Sequence, residues 1–293
     1  MHQLDGPGRG VHLALGLRWS MKYKLLAIDV DGTLLNSSSQ LTPATAAAVR
    51  RAQERGLKIV LATGRRLGNT LPVARALGVQ ELMVVHNGVV VADPTSLQPV
   101  LQSGICPSLA ANLVDKLNSW RVNYVVYTGE SAGEKVLAPE GSWREPENLL
   151  AYFLGEAAEF ARDIEITSPP VRIAIIDHPA KVDPLYAEIR ENYAGQVSAL
   201  LFGAEREDWR GIELLPAHSN KGTGVAFVAE RLGLAAAEVA AVGDNINDLE
   251  MILWAGLGIA MENGSPLLKE KAGLIAPSND RDGVAFIIEE LLR

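Results

Sequence analysis

The chain has 293 residues, of which 48% are hydrophobic and 21% charged, and a formal net charge of −8. An acidic balance without a Lys/Arg-rich run excludes a protein that grips nucleic acid or anionic membrane by non-specific charge. The single cysteine, Cys106, excludes an internal disulfide and a cysteine-built metal site, which suits a reducing cytoplasm.

Residues 1–20 hold a short apolar patch flanked by arginines, too short for a signal-peptide core and lacking a small-residue cleavage site. They are expected to form a disordered or dispensable leader whose deletion leaves activity and stability intact. No apolar stretch reaches the roughly 18 residues that span a bilayer. The run 24–28 reads as a buried strand. Thr42 then caps a helix that has Pro43 at its first position and stops at Gly56. A second strand, 57–62, ends at Thr63-Gly64. A helix over 68–77 stops at Gly78, a third strand covers 81–86, and Asn87-Gly88 is a hairpin-type turn into 89–91.

After Pro99 the rhythm changes. Helices are predicted over 107–119 and 184–193 and strands over 122–127, 171–177 and 197–202, with no phosphate-handling or metal-like motif among them. Residues 100–210 are therefore expected to form an inserted cap domain on a core of 21–99 and 211–293. The earlier pattern resumes at 211–216, followed by a helix over 221–232, strand 239–242, helix 246–255, strand 257–261 and a last helix, 283–292. Strands alternating with helices predict an α/β fold, with a parallel sheet covered by helices on both faces. Charged and glycine residues cluster just past strand ends, the edge where such sheets bind ligands.

Four elements carry the chemistry. Asp29 and Asp31, in DVDGT at 29–33, follow an apolar strand, and alternate residues of extended chain face one side. Alone this also fits an acidic turn. A calcium loop of the helix–loop–helix kind would need a third oxygen ligand before its glycine and a helix in front. The second cluster, GDNIND at 243–248, supplies Asp244, Asn247 and Asp248 after another aliphatic strand. If both loops share one sheet edge, Asp29, Asp31, Asp244 and Asp248 converge. Four carboxylates raise one another's pKa unless a cation compensates them, and an oxygen-only ligand set selects a hard metal such as magnesium. Thr63, Gly64 and Arg65 offer a hydroxyl and backbone N–H groups to an anionic oxygen. Lys221 opens a helix and opposes its dipole, a poor place for a cation unless an anion lies nearby.

In this order, DVDGT, ATGR at 62–65, SNKG at 219–222 and GDNINDLEM at 243–251 resemble the motifs of the haloacid dehalogenase superfamily. The last motif and the large insert look like its Cof-type phosphatases, and the resemblance covers 21–293. It implies a Rossmann-like parallel sheet core plus an inserted α/β cap. It also implies hydrolysis of phosphate monoesters, sugar phosphates first, through an aspartyl-phosphate on Asp29. Asp31 would act as general acid and base. Mg2+ would be held by Asp29, the Asp31 carbonyl and Asp244. Thr63, Gly64, Lys221 and Asn247 would bind phosphate oxygens, with Arg65 reaching the substrate and Asp248 orienting Lys221. The rival readings are a sugar phosphomutase on the same scaffold, which must protect the aspartyl-phosphate from water, and a non-catalytic binding protein.

The partner implied is a small phosphorylated metabolite, with neither nucleic acid nor membrane, and the chain is expected to be a monomer or weak homo-oligomer in the cytoplasm. Cap hinges are expected near Pro99 and at 209–211. His86, His178 and His218 lack ligand spacing and read as core or surface histidines, Trp254 as core. Trp143 and Trp209 read as packing residues, with lining of the substrate mouth as the alternative.

Overall fold

The computed structural model describes residues 22–129, 134–140, 158–203 and 208–293; the leader and Trp143 lie outside these ranges. Leu25–Ile28 is buried along its whole length, as a central parallel strand covered on both faces must be. It lies in a five-stranded parallel sheet of order Leu274–Ala276, Leu257–Met261, Val239–Gly243, Leu25–Ile28, Lys58–Leu61.

Period-two alternation sends its side chains to two cores. Leu26 and Ile28 pack with Val49 and Ile287, from helices Pro43–Glu54 and Gly283–Leu291. Leu25 and Ala27 pack with Val225 and Met251, from helices Lys221–Arg231 and Leu249–Trp254. The expected start of the first helix holds: Pro43 is its first residue, and the Thr42 side chain accepts from the Thr45 N–H at 3.1 Å. Trp254 packs half-buried against the second of these cores. Among the described residues, no helix is long and apolar enough to cross a membrane.

The expected third strand is shorter and pairs differently. Met83–Val85 forms an antiparallel sheet with Val90–Ala92 and Pro99–Gln102. A parallel bridge from Ala62 to Val84 and a bond from the Thr63 N–H to the Val84 carbonyl, 2.9 Å, attach it to the edge of the main sheet. The turn His86–Gly88 between its first two strands is buried and pressed against the start of the Lys221 helix.

Residues of the predicted insert, together with 211–216, build a separate six-stranded sheet of order Val197–Phe202, Arg210–Pro216, Arg172–Asp177, Tyr124–Tyr127, Val136–Pro139, Ala158–Ala161. Ile173, Ile175, Ile212 and Leu214 face helices Pro107–Trp120 and Pro179–Asn192. The alternate residues Tyr127, Arg172 and Glu213 line the cleft over the main sheet.

Three expectations need correction. Residues 211–216 do not return to the core. Their strand lies between Val197–Phe202 and Arg172–Asp177, because sheet membership is decided by pairing partners remote in sequence. Consequently Pro99 and Arg210 sit inside paired strands rather than at hinges, and the chain passes between the sheets at 103–106 and 217–219. The helix expected from 184 begins at Pro179, with the His178 ring accepting from the Ala180 N–H, so Pro184 lies within it. His86 is fully buried, and its Nε2 faces Glu134 at 3.0 Å, with Arg66 on the other oxygen at 3.4 Å.

Gly88 has φ +90°, and a Cβ there would lie 1.9 Å from the Asn220 carbonyl oxygen. Gly88→Ala combines a left-handed backbone with a backbone clash and should cost about 3 kcal/mol or more. A urea midpoint unchanged from wild type would contradict this packing.

Candidate active site

The two acidic loops leave adjacent strands of the main sheet. Leu25–Ile28 and Val239–Gly243 pair in parallel, so Asp29 and Asp244 emerge side by side at the carboxyl edge. One carboxylate oxygen from each of Asp29, Asp244 and Asp248 lies within 4.8 Å of the others. Gly32, at φ +76°, lets the first loop turn beneath Asp244; a Cβ there would meet the Asp244 Oδ2 at 2.4 Å. The Thr33 hydroxyl donates to Asp244 Oδ1 at 2.9 Å.

Lys221 is buried between the loops. Its ammonium donates to Asp29 Oδ1 and to Asp248 Oδ1, both at 2.6 Å. The other oxygen of Asp248 accepts from the Asp244 and Asn245 N–H groups at 3.0 and 2.9 Å. Asp248 therefore both fixes the acidic loop and aims the lysine. The helix Lys221–Arg231 starts where it does because Asn220 caps it reciprocally with Thr223.

Burial pushes the Asp29 carboxyl well above the ordinary carboxylate range; Lys221 opposes this, while Asp248 and Asp244 add to it. Asp244 is pushed up to about 6, first by burial and then by the Asp248 charge, against the Thr33 hydroxyl and Lys221. For Lys221, burial works to lower the value, but Asp248 and Asp29 outweigh it and hold the ammonium above the ordinary lysine range. One ammonium against three carboxylates leaves an excess of about two negative charges in a buried, oxygen-only site. A hard divalent cation fits that donor set.

Asp31 does not converge with the other three aspartates. Its carboxylate is held by Arg65, Nε to Oδ2 at 2.7 Å and Nη2 to Oδ1 at 2.5 Å, on the solvent side of the cluster. Asp29 and Asp31 are both extended but Val30 between them is helical, so the strand alternation that the sequence suggested is broken there, and Gly32 at φ 76°, ψ −4° then turns the chain. Thr63 is buried, and its hydroxyl oxygen accepts from the Arg65 N–H at 3.1 Å. Thr63, Gly64, Arg65 and Asn247 all line the same cleft as Asp29, Asp31 and Asp244.

A family model described as haloacid dehalogenase-like hydrolase matches residues 26–288. The chain belongs to the haloacid dehalogenase-like hydrolases. It is 30% identical to the "Putative phosphatase YxeH" of Bacillus subtilis, over 92% of this chain and 98% of that protein. It is 29% identical to that organism's "5-amino-6-(5-phospho-D-ribitylamino)uracil phosphatase YcsE", over 92% and 96% of the two. A solved haloacid dehalogenase-like hydrolase from Bacteroides thetaiotaomicron superposes with a TM-score of 0.78 at 28% identity, covering 92% of this chain and all of that one.

In this hydrolase the cleft between the two sheets measures about 1250 Å³. The main sheet supplies the two acidic loops and the Thr63–Arg65 loop. The six-stranded sheet supplies Tyr127, Arg172, Glu213 and an apolar stretch that includes Phe202 and Trp209, so Trp209 does line the mouth. Sequence reasoning missed Asn87, Arg172 and Glu213. Asn87 was read as a turn residue only. The available signal for the other two was a charge among apolar residues on the strand face opposite Ile173, Ile175, Ile212 and Leu214.

Asp244 has a folded pKa above its unfolded one, so the native state binds its proton more tightly, and this contribution to stability is lost as pH rises through about 6. In the metal-free protein at pH 7, Asp244→Asn should be more stable than wild type by about 1–2 kcal/mol, after discounting for partial exposure. The gap should close toward pH 5, and a divalent cation should stabilise wild type more than the variant. Paired thermal melts in chelator and in excess cation check this. A variant less stable than wild type at pH 7 in chelator contradicts it.

Proposed function

We propose that the protein is a Mg2+-dependent phosphomonoesterase acting on small phosphorylated metabolites, with Asp29 as nucleophile. The observation that carries the reading is the buried Asp29–Lys221–Asp248 arrangement beside Asp244, with Asp31 held apart from it. The protein is a phosphatase of its family. Asp29 and Asp244, with the Asp31 backbone carbonyl, would hold the metal. Bound there, Mg2+ supplies charge neutralisation that keeps carboxylate and phosphate from repelling each other.

Asp29 attacks phosphorus in line, and the ester oxygen leaves as the aspartyl-phosphate forms. Lys221, anchored on Asp248, keeps one Asp29 oxygen paired, which orients the other toward the substrate, and carries positive charge to the transferring group. Thr63, the Gly64 N–H and Asn247 stand at the cleft to bind phosphate oxygens. Asp31 gives a proton to the leaving oxygen, then takes one from the water that cleaves the intermediate. Its exposed position suits both tasks, since leaving group and water approach from the cleft. Arg65 engages both Asp31 oxygens, so at least one of those bonds opens when Asp31 turns to the leaving group. Arg65 then acts on Asp31 rather than on the substrate.

Sugar phosphates are the proposed substrate class, and the ribityl phosphate named for the YcsE relative belongs on the same test panel. The open size of the cleft admits either. A phosphomutase would move phosphate between substrate positions without releasing it.

With p-nitrophenyl phosphate and Mg2+, wild type should release inorganic phosphate. Asp29→Asn should lose activity entirely, Asp31→Asn should fall about 10²–10⁴-fold, and chelation should silence the wild type reversibly. Hydrolysis by Asp29→Asn at the wild-type rate would refute the nucleophile assignment.

A further inference from the structure

A continuous chain of hydrogen bonds joins the cap sheet to two loops of the core. It begins at the Gly64 carbonyl, which accepts from Arg172 Nη1 at 2.9 Å. The same nitrogen donates to Glu213 Oε1 at 2.8 Å. The second oxygen of Glu213 accepts from Asn87 Nδ2 at 2.6 Å. Asn87 Oδ1 in turn accepts from Asn247 Nδ2 at 2.9 Å. Each step crosses between segments distant in sequence, and the two ends are the phosphate-type loop and the acidic loop.

The members are seated so that this chain is their main business. Arg172 is buried at 5% exposure, stacked over the Tyr127 ring at 4.0 Å. Both Glu213 oxygens are occupied by protein donors. Asn87, at φ +53°, holds its amide against Gly64, where an added Cβ would meet both amide heteroatoms at 3.1 Å. Both ends of that amide are used, so its orientation is fixed by Glu213 on one side and Asn247 on the other. The bonds these side chains make run from Arg172 Nη1 and both Glu213 oxygens to the Gly64 carbonyl, to each other and to Asn87, while both residues also line the cleft.

We propose that Arg172 and Glu213 are positioning residues that make cap docking and assembly of the phosphate-binding loops a single event. The inference rests on the phosphatase reading for its kinetic test. When the cap sheet is seated, Arg172 holds the Gly64–Arg65 peptide, and Glu213, through Asn87, holds the Asn247 amide. When it lifts, both supports leave together. Acting through these bonds they support the loops proposed to hold phosphate, so their contribution is the same for every leaving group. Displacing reacting groups by an ångström costs on the order of 10²-fold in rate, which sets the scale of the effect.

The test is steady-state kinetics of wild type, Glu213→Gln, Arg172→Lys, Arg172→Gln and the Glu213→Gln/Arg172→Gln double variant on p-nitrophenyl phosphate, a hexose phosphate and a ribityl-type phosphate. Each single variant should lower kcat about 10–100-fold, by the same factor for all three esters, with KM changed less than about threefold. The double variant should be no worse than the poorer single one. Arg172→Lys should be impaired like Arg172→Gln, since an ammonium lacks the planar group that stacks on the Tyr127 ring and so is not held in place. Losses that differ between esters, or that fall on KM alone, would make the pair substrate contacts and overturn the proposal; so would additivity in the double variant.

Glu213→Gln is nearly isosteric and keeps the measurement available if Arg172→Gln does not fold. A wild type inactive on every ester would instead overturn the phosphatase reading. The network is then read directly by amide hydrogen exchange at Gly64 and Arg65, expected at least about tenfold faster in Glu213→Gln, and unchanged exchange would sink it.

Discussion

The buried ammonium of Lys221 is the constraint on which the rest of the molecule depends. It sits between Asp29 and Asp248 with 1% of its surface exposed. Taking these charges out of water is expensive, and their mutual attraction offsets the cost only when geometry is good and the remaining lone pairs are used. Asp248 meets that condition through two backbone N–H groups. Such a triad adds little net stability over an apolar packing of the same volume. It does specify one arrangement, because leaving any member unpartnered costs about 3–5 kcal/mol. The strand order follows the same requirement: Leu25–Ile28 and Val239–Gly243 are neighbours, and the Lys221 helix packs against the face that Leu25 and Ala27 share.

That arrangement also separates two kinds of carboxylate. Asp29, Asp244 and Asp248 are drawn into one buried charge cluster, where burial and mutual repulsion push protons onto Asp29 and Asp244 unless a cation takes their place. Asp31, two residues beyond Asp29, is turned away onto Arg65. A nucleophile must be ionised and close to the metal; a proton carrier must reach solvent and the leaving group. The helical break at Val30 puts the two carboxylates in different environments within one loop, which is what the proposed division of roles requires.

What was legible in the sequence was whatever is encoded locally. Strand runs such as 24–28 and 239–242, the Thr42-Pro43 helix start and the motif residues at strand ends all carry their signal within a few positions. Asp29, Asp244 and Asp248 come together because their motifs follow neighbouring strands of one parallel sheet, an arrangement the alternating pattern predicts, whereas Lys221 arrives on a helix entered from the cap strand Arg210–Pro216. What was not legible depends on partners far away. Glu213 sits in a strand whose pattern matches the core, yet pairing with Val197–Phe202 and Arg172–Asp177 places it in the cap sheet. Pro184 reads as a helix start, while the true start at Pro179 is set by the His178 ring acting as cap. Asp31 departs from strand alternation because Val30, between two extended aspartates, is helical.

The polar character of the cap–core contact follows from what that contact has to do. An apolar interface between the two sheets would be at least as favourable by area, since burying carbon is non-directional, and apolar residues of the cap sheet such as Val125 and Leu215 already share a core cluster with Leu26. Non-directional packing tolerates sliding, however, and a slide of an ångström would move the Gly64 peptide and the Asn247 amide relative to Asp29. Hydrogen bonds between Arg172, Glu213, Asn87 and Asn247 fail steeply with distance and angle, so they admit one seating only. The charges in this contact are therefore better understood as fixing alignment than as holding the domains together, and their cost in desolvation is tolerable because the apolar part of the interface supplies the adhesion.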